Sequence, residues 1–143
     1  MKDQSEQRVV DTAWWTLRVT FGLVPFLAGL DKFFNVLAFW PKYIAPAFDG
    51  LLPVSHQSFM YAVGVIEMAV GLAVLLTRWT KPFAYVVAGW LTCIAINLLV
   101  GRYFDIAVRD LVMAASAATL ARLTDVVHVP SVAHGRLRPV PAT

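Results

Sequence analysis

The chain has 143 residues, 59% of them apolar and 15% charged, with a mean hydropathy of +0.66 and a formal net charge of +3. Soluble domains average about 45–50% apolar and about 25% charged, and a chain this short buries too small a share of its surface to hide the surplus, so a water-soluble globule is excluded and the surplus is expected to face lipid. The twelve Lys and Arg are scattered without a basic run, which excludes a nucleic-acid interface and leaves the positive excess to membrane topology.

Residues 1–11, MKDQSEQRVVD, form a polar flank of mixed sign, unlike the basic start of a secretion signal. No small-residue cleavage site follows, so the first apolar stretch is expected to be retained. That stretch runs from Thr12 to Val36 and is followed by others at Gln57–Thr77, Pro82–Val100 and Tyr103–Leu123. Each approaches the roughly 20 residues that cross a bilayer. The 19 residues from Pro82 to Val100 contain no charge. The expected domain is therefore 12–123, with a flexible basic tail over 124–143 carrying His128, His134, Arg136 and Arg138.

Between the first two stretches lies a connection over 37–56, containing FWPKYIAPAFDGLLPVSH. Its aromatics Trp40, Tyr43 and Phe48, broken by Pro41, Pro46 and Pro53, suit a segment at the membrane interface. It serves either as an aromatic belt that anchors a helix end or as a lid and partner-docking surface. Eight Lys and Arg flank one set of membrane ends and four the other, so both termini are expected in the cytoplasm.

Polar residues inside the spans carry the functional information. Arg18, Gly22, Pro25, Gly29 and Lys32 fall on one helical face, as do Met60, Gly64, Glu67 and Gly71. The third stretch offers Gly89, Cys93 and Asn97 at a spacing of four; the fourth offers Asp105, Arg109, Val112, Ser116 and Thr119, with Asp110, Ala114 and Ala117 adjacent. Burying these faces together gives an all-α membrane protein, an antiparallel four-helix transmembrane bundle.

An intramembrane ion needs a partner. At 1.5 Å per residue, Arg18 and Arg109 each lie roughly 9 Å inside opposite faces, and an arginine reach of about 6 Å brings either to Glu67 near the midplane. Glu67 is therefore expected to pair with Arg18, Arg109 or both, with Asp105, Asp110 and Asn97 completing the network. Such a network either locks helix register or binds a polar headgroup, quinone or small solute while Glu67 handles a proton.

Other chemistries lack their residues. Cys93 is the lone cysteine, excluding an intramolecular disulfide or a CxxC couple. No histidine lies within a span, which argues against a bis-histidine haem or a His-built metal centre, and neither a Gly-rich phosphate loop nor a nucleophile elbow occurs. No intrinsic cofactor is expected.

The first helix with Arg18, then FLAGLDKF from Phe26 to Phe33, VGVIEMAVGL from Val63 to Leu72 and DIAVRDL from Asp105 to Leu111 together resemble the DoxX-like family of small four-span bacterial membrane proteins, over about Trp14 to Leu123. The resemblance implies a place in the bacterial inner membrane and an association with quinone-linked redox complexes, after the oxidase and thiosulfate:quinone oxidoreductase subunit that names the family. By position it singles out Arg18, Lys32, Glu67, Arg109 and Asp110, and it brings no cofactor ligand.

The expected function is an accessory subunit of a membrane redox complex, without a redox centre of its own. Its expected partners are membrane lipid, other membrane subunits and a quinone or small solute. The alternatives are a small proton-coupled transporter, since a midplane carboxylate suits one, and a lipid-binding or scaffolding protein.

Overall fold

The computed structural model describes residues 2–127, and among these the chain is all-helical. Helix α1 spans Lys2–Asp31, α2 His56–Leu76, α3 Thr80–Val100 and α4 Phe104–Val127, with two short 3-10 turns, Trp40–Tyr43 and Pro46–Phe48, between α1 and α2. The polar flank is not a separate segment: α1 begins at Lys2 and runs through Pro25 without a break. It stops five residues before the expected end at Val36, because Asp31 turns its carboxylate onto the backbone that follows. Thr124 to Val127, placed in the tail by sequence, continue α4; the remainder of that tail lies outside the described residues.

Local chemistry explains the boundaries. Ser55 caps α2 by accepting the Ser58 N–H at 3.2 Å. Pro82 sits in the first turn of α3, where helical N–H groups have no intrahelical partner and a missing one costs little. At the other end of α3, Tyr103 N–H donates to Leu98 O at 2.9 Å and Arg102 N–H to Leu99 O at 3.1 Å. This is a Schellman closure, with Arg102 at φ 64° in the left-handed position that glycine usually fills. The resulting three-residue turn folds α4 back along α3, and Lys81 meets Asp125 at 2.8 Å near the far end.

Helix α1 packs on α2 through glycine. A Cβ on Gly29 would stand 2.5 Å from Gly64 O, and one on Gly71 would stand 2.5 Å from Gly22 O. The two backbones touch at these points, an approach only small residues permit. Both sequence stripes, on α1 and on α2, thus face protein as expected.

The faces expected of α3 and α4 are corrected. Gly89 and Cys93 are exposed, and α3 buries Ala84, Val87, Leu91, Ala95 and Leu98 instead. On α4 the buried stripe is Ala107, Asp110, Ala114, Ala117, Leu120, Ala121 and Thr124, while Asp105, Arg109, Val112 and Thr119 point outward. The reason is size: alanines let α4 lie close against α3, and the bulkier polar side chains are rotated away.

Among the described residues three helices, α1 from Gln4 and all of α2 and α3, are long and apolar enough to cross a membrane. At 1.5 Å per residue the 21-residue α2 and α3 are each about 31 Å long, the depth of a hydrocarbon core. Helix α4, the fourth of the expected spans, is as long but carries Asp105, Arg109, Asp110, Arg122 and Asp125, so it lacks that apolarity.

The interior has two halves. Trp14, Phe21, Val74, Ala84, Val87, Leu91, Ala114, Ala117, Leu120 and Ala121 form an apolar core toward the N-terminal end of α1, closed by a 2.8 Å bond from Trp14 Nε1 to Thr124 Oγ1. Toward the 32–55 connection the interior becomes charged.

Candidate functional site

Lys32, one residue past the end of α1, is 4% exposed and donates from Nζ to Glu67 Oε2 at 2.5 Å. Glu67 is 6% exposed and sits at the middle of α2, and its other oxygen accepts Trp90 Nε1 from α3 at 3.2 Å. The Lys32 ammonium also lies 4.0 Å from the centroid of the Trp40 ring, a cation–π distance. From α4, the buried Asp110 carboxylate attracts the same ammonium. Glu67 of α2 and Trp40 of the connection thus contact the buried cation directly, Trp90 of α3 braces its carboxylate partner, and Asp110 of α4 acts on it through charge.

The backbone around Lys32 is held as firmly as its side chain. Asp31, itself buried, accepts Val36 N–H and Leu37 N–H at 3.0 Å each and Trp40 Nε1 at 2.8 Å. Gln57 at the start of α2 donates to Lys32 O at 3.0 Å and accepts from Asn35 Nδ2 at 3.2 Å. Asn35 adopts φ 52°, a left-handed conformation that asparagine tolerates better than most residues.

Above the cluster the connection folds onto the bundle end. The Asn97 amide holds it from both sides, donating to Tyr43 O at 2.6 Å and accepting Ala45 N–H at 3.0 Å. Tyr103 OH donates to Lys42 O at 3.1 Å, and its ring meets that of Tyr43 edge-on at 5.2 Å. Pro41, Ile44 and Ala45 are buried beneath this seam. Farther along, His56 Nε2 meets Asp49 Oδ1 at 3.0 Å on the surface.

The expected pairing of Glu67 with Arg18 or Arg109 is corrected on both counts. The contact of Gly22 with Gly71 and of Gly29 with Gly64 sets a register that brings Arg18 beside Leu75, eight residues or about 12 Å along α2 from Glu67. There its guanidinium donates to Val74 O at 3.0 Å, Leu75 O at 3.0 Å and Thr77 O at 2.7 Å, satisfying carbonyls that the end of α2 leaves open. Arg109 lies on the outward face of α4, its side chain 64% exposed, and donates to Asp110 Oδ1 from Nε and Nη2, each at 3.1 Å. Asp105 is exposed.

Of the residues expected in the network, Lys32, Glu67 and Asp110 converge, Arg109 joins them only through Asp110, Asn97 clamps the connection, and Arg18 and Asp105 lie elsewhere. Of the expected docking aromatics, Trp40 and Tyr43 turn onto the chain itself and Phe48 stays exposed. Sequence reasoning missed Trp90 and Asp31. A tryptophan halfway along an uncharged span, far from the interfaces where the residue collects, was the available signal for Trp90; Asp31 was marked only by its place beside Lys32.

Among the described residues no three His, Cys, Asp or Glu side chains stand close enough to hold a metal ion. No curated protein and no solved structure matches the chain. The DoxX family profile matches residues 13–102, which covers α1 from its first apolar turn through α3, with Lys32, Glu67, Trp90 and Asn97; the DIAVRDL segment opening α4 lies beyond the match. With well over half of its residues matched, and with the buried ion pair inside the matched region, this membrane protein belongs to the DoxX family.

Proposed function

We propose that the chain is an accessory subunit of a quinone-linked redox complex of the bacterial inner membrane, without a redox centre of its own. In this reading it is an antiparallel four-helix transmembrane bundle with both termini cytoplasmic, and the 32–55 connection lies on the opposite face of the membrane. The observation that carries the reading is the Lys32–Glu67 pair, buried beneath a connection clamped by Asn97. A quinone or lipid headgroup offers carbonyl, hydroxyl or phosphate oxygens, which the Lys32 ammonium and the Trp40 and Trp90 N–H groups are chemically suited to bind once the connection lifts. The outer side of the connection exposes Phe48, Leu51 and Val54, an apolar tip suited to membrane lipid or to a neighbouring subunit.

The transporter alternative is less well supported. Glu67 already holds a resident cation in Lys32, and a transported cation would have to displace it.

The test is gentle-detergent extraction of the tagged protein, followed by identification of co-purifying proteins and quinones. An oxidoreductase subunit retained in fixed ratio is the expected result. A protein purified alone that turns over a quinol, or one that carries neither partner nor quinone, overturns the reading. Glu67→Gln separates it from transport: ion-coupled uptake lost with complex assembly intact favours a transporter. A reporter active only outside the cytoplasm, fused to the C-terminus, is expected to be silent.

A further inference from the structure

The outward face of α4 differs from those of its neighbours. Helix α2 presents Val65, Ile66 and Leu72 outward and α3 presents Val86, Ile96 and Leu99, all compatible with lipid tails. Helix α4 also exposes Phe104, Leu111 and Val126, but along one stripe it exposes Asp105, Val108, Val112, Ala115, Thr119 and Arg122. These fall at alternating steps of three and four residues, the 3.5-residue repeat by which one helix packs along another. The seam runs the length of the helix, small or β-branched at its centre and charged toward its ends. Arg109, paired with Asp110 of its own chain yet 64% exposed, flanks it one turn from Asp105 and about 9 Å below the α3–α4 turn, a depth at which an exposed charge is unfavourable.

We propose that this face is the seam of a homodimer, with α4 of one copy packed along α4 of the other. Charge selects a second copy as the occupant. Identical chains insert in the same orientation, so a two-fold axis along the membrane normal sets the two α4 helices parallel and at equal depth. Asp105 and Arg109 are one helical turn apart on the same side. Arg109 already holds Asp110 of its own chain through Nε and Nη2; across that axis its Nη1 reaches the Asp105 carboxylate of the other copy, and the four residues form an alternating ring. Val112, Ala115 and Thr119 then meet their own counterparts, residues small enough for close approach. The face is thereby complementary to itself, and the helix too polar to cross as an isolated span gains a protein surface on both sides.

The experiment is cysteine cross-linking in native membranes. Cys93, the lone native cysteine and exposed on α3, is replaced by Ser, and Val112→Cys, Ala115→Cys or Val65→Cys is introduced singly. A disulfide requires Cα atoms within about 7 Å. Val112→Cys and Ala115→Cys are expected to give a covalent dimer of twice the 15.8 kDa chain, while Val65→Cys on α2 gives none. In the Ala115→Cys background, Asp105→Arg is expected to reduce the dimer several-fold, and Asp105→Glu, which keeps the carboxylate, to retain it. Cross-linking at Ala115 no greater than at Val65, or only to a protein of different mass, overturns the proposal. So does a dimer that persists in Asp105→Arg, which would remove the ring of charges from the interface.

Discussion

Replacing Lys32 by Met keeps most of the stem volume and removes the ammonium. Glu67, 6% exposed, is then left with the Trp90 N–H at 3.2 Å as its remaining hydrogen bond among those described. Breaking a buried ion pair by removing one partner costs about 3–5 kcal/mol, because the other charge stays desolvated. That is about a 10²- to 10⁴-fold fall in the folding equilibrium. Glu67→Met is expected to cost a similar amount, since it strands Lys32 on the Trp40 face and the Asp110 carboxylate. The double variant leaves neither charge and fills the site with hydrocarbon, so it is expected to lose less than either single variant and to approach the parent protein. The assay is reversible unfolding in mixed micelles of rising SDS fraction, followed by tryptophan fluorescence and analysed as a double-mutant cycle. Additive losses, with the double variant as unstable as the two singles combined, would refute the reasoning.

Three further outcomes follow from the same geometry. Gly64→Ala places a methyl 2.6 Å from Gly29 O, and since backbone cannot yield, α1 and α2 must separate; the expected loss is about 1–3 kcal/mol by the same unfolding assay. Arg18→Lys keeps the charge but cannot reproduce the fork that meets three carbonyls, so faster amide exchange over residues 76–79 and a loss of about 1–2 kcal/mol are expected. Arg102→Gly relieves the left-handed φ of 64° at the α3–α4 turn, and a gain of about 1 kcal/mol in thermal unfolding is expected.

The apolar stretches and the glycine stripes were legible in the sequence because each depends on one helix read alone. Gly29 and Gly64 lie where periodicity put them, and Glu67 is buried as its depth required. Which cation met Glu67 was not legible, because it depends on the sliding register between two helices, and the observed register leaves Arg18 about two turns from Glu67. The face of α4 was misread for a related reason. Polarity alone pointed Asp105 and Arg109 inward, whereas the packing requirement of α3 selected Ala114, Ala117 and Ala121, and only the neighbouring Asp110 came with them. Trp90 escaped notice because nothing local distinguishes a tryptophan that donates to a carboxylate from one that fills space.

Lys32 and Glu67 both belong to the α1–α2 hairpin, which leaves the ribosome before the α3–α4 hairpin that carries Trp90 and Asp110. The nascent chain can therefore neutralise the buried carboxylate of Glu67 before α3 and α4 have been synthesised, using residues only 35 positions apart. The membrane-insertion machinery would meet a closed ion pair rather than two bare charges. The later hairpin then arrives at a template already set, and its own contribution, the Asn97 clamp above all, fastens the connection over a pair that had formed without it.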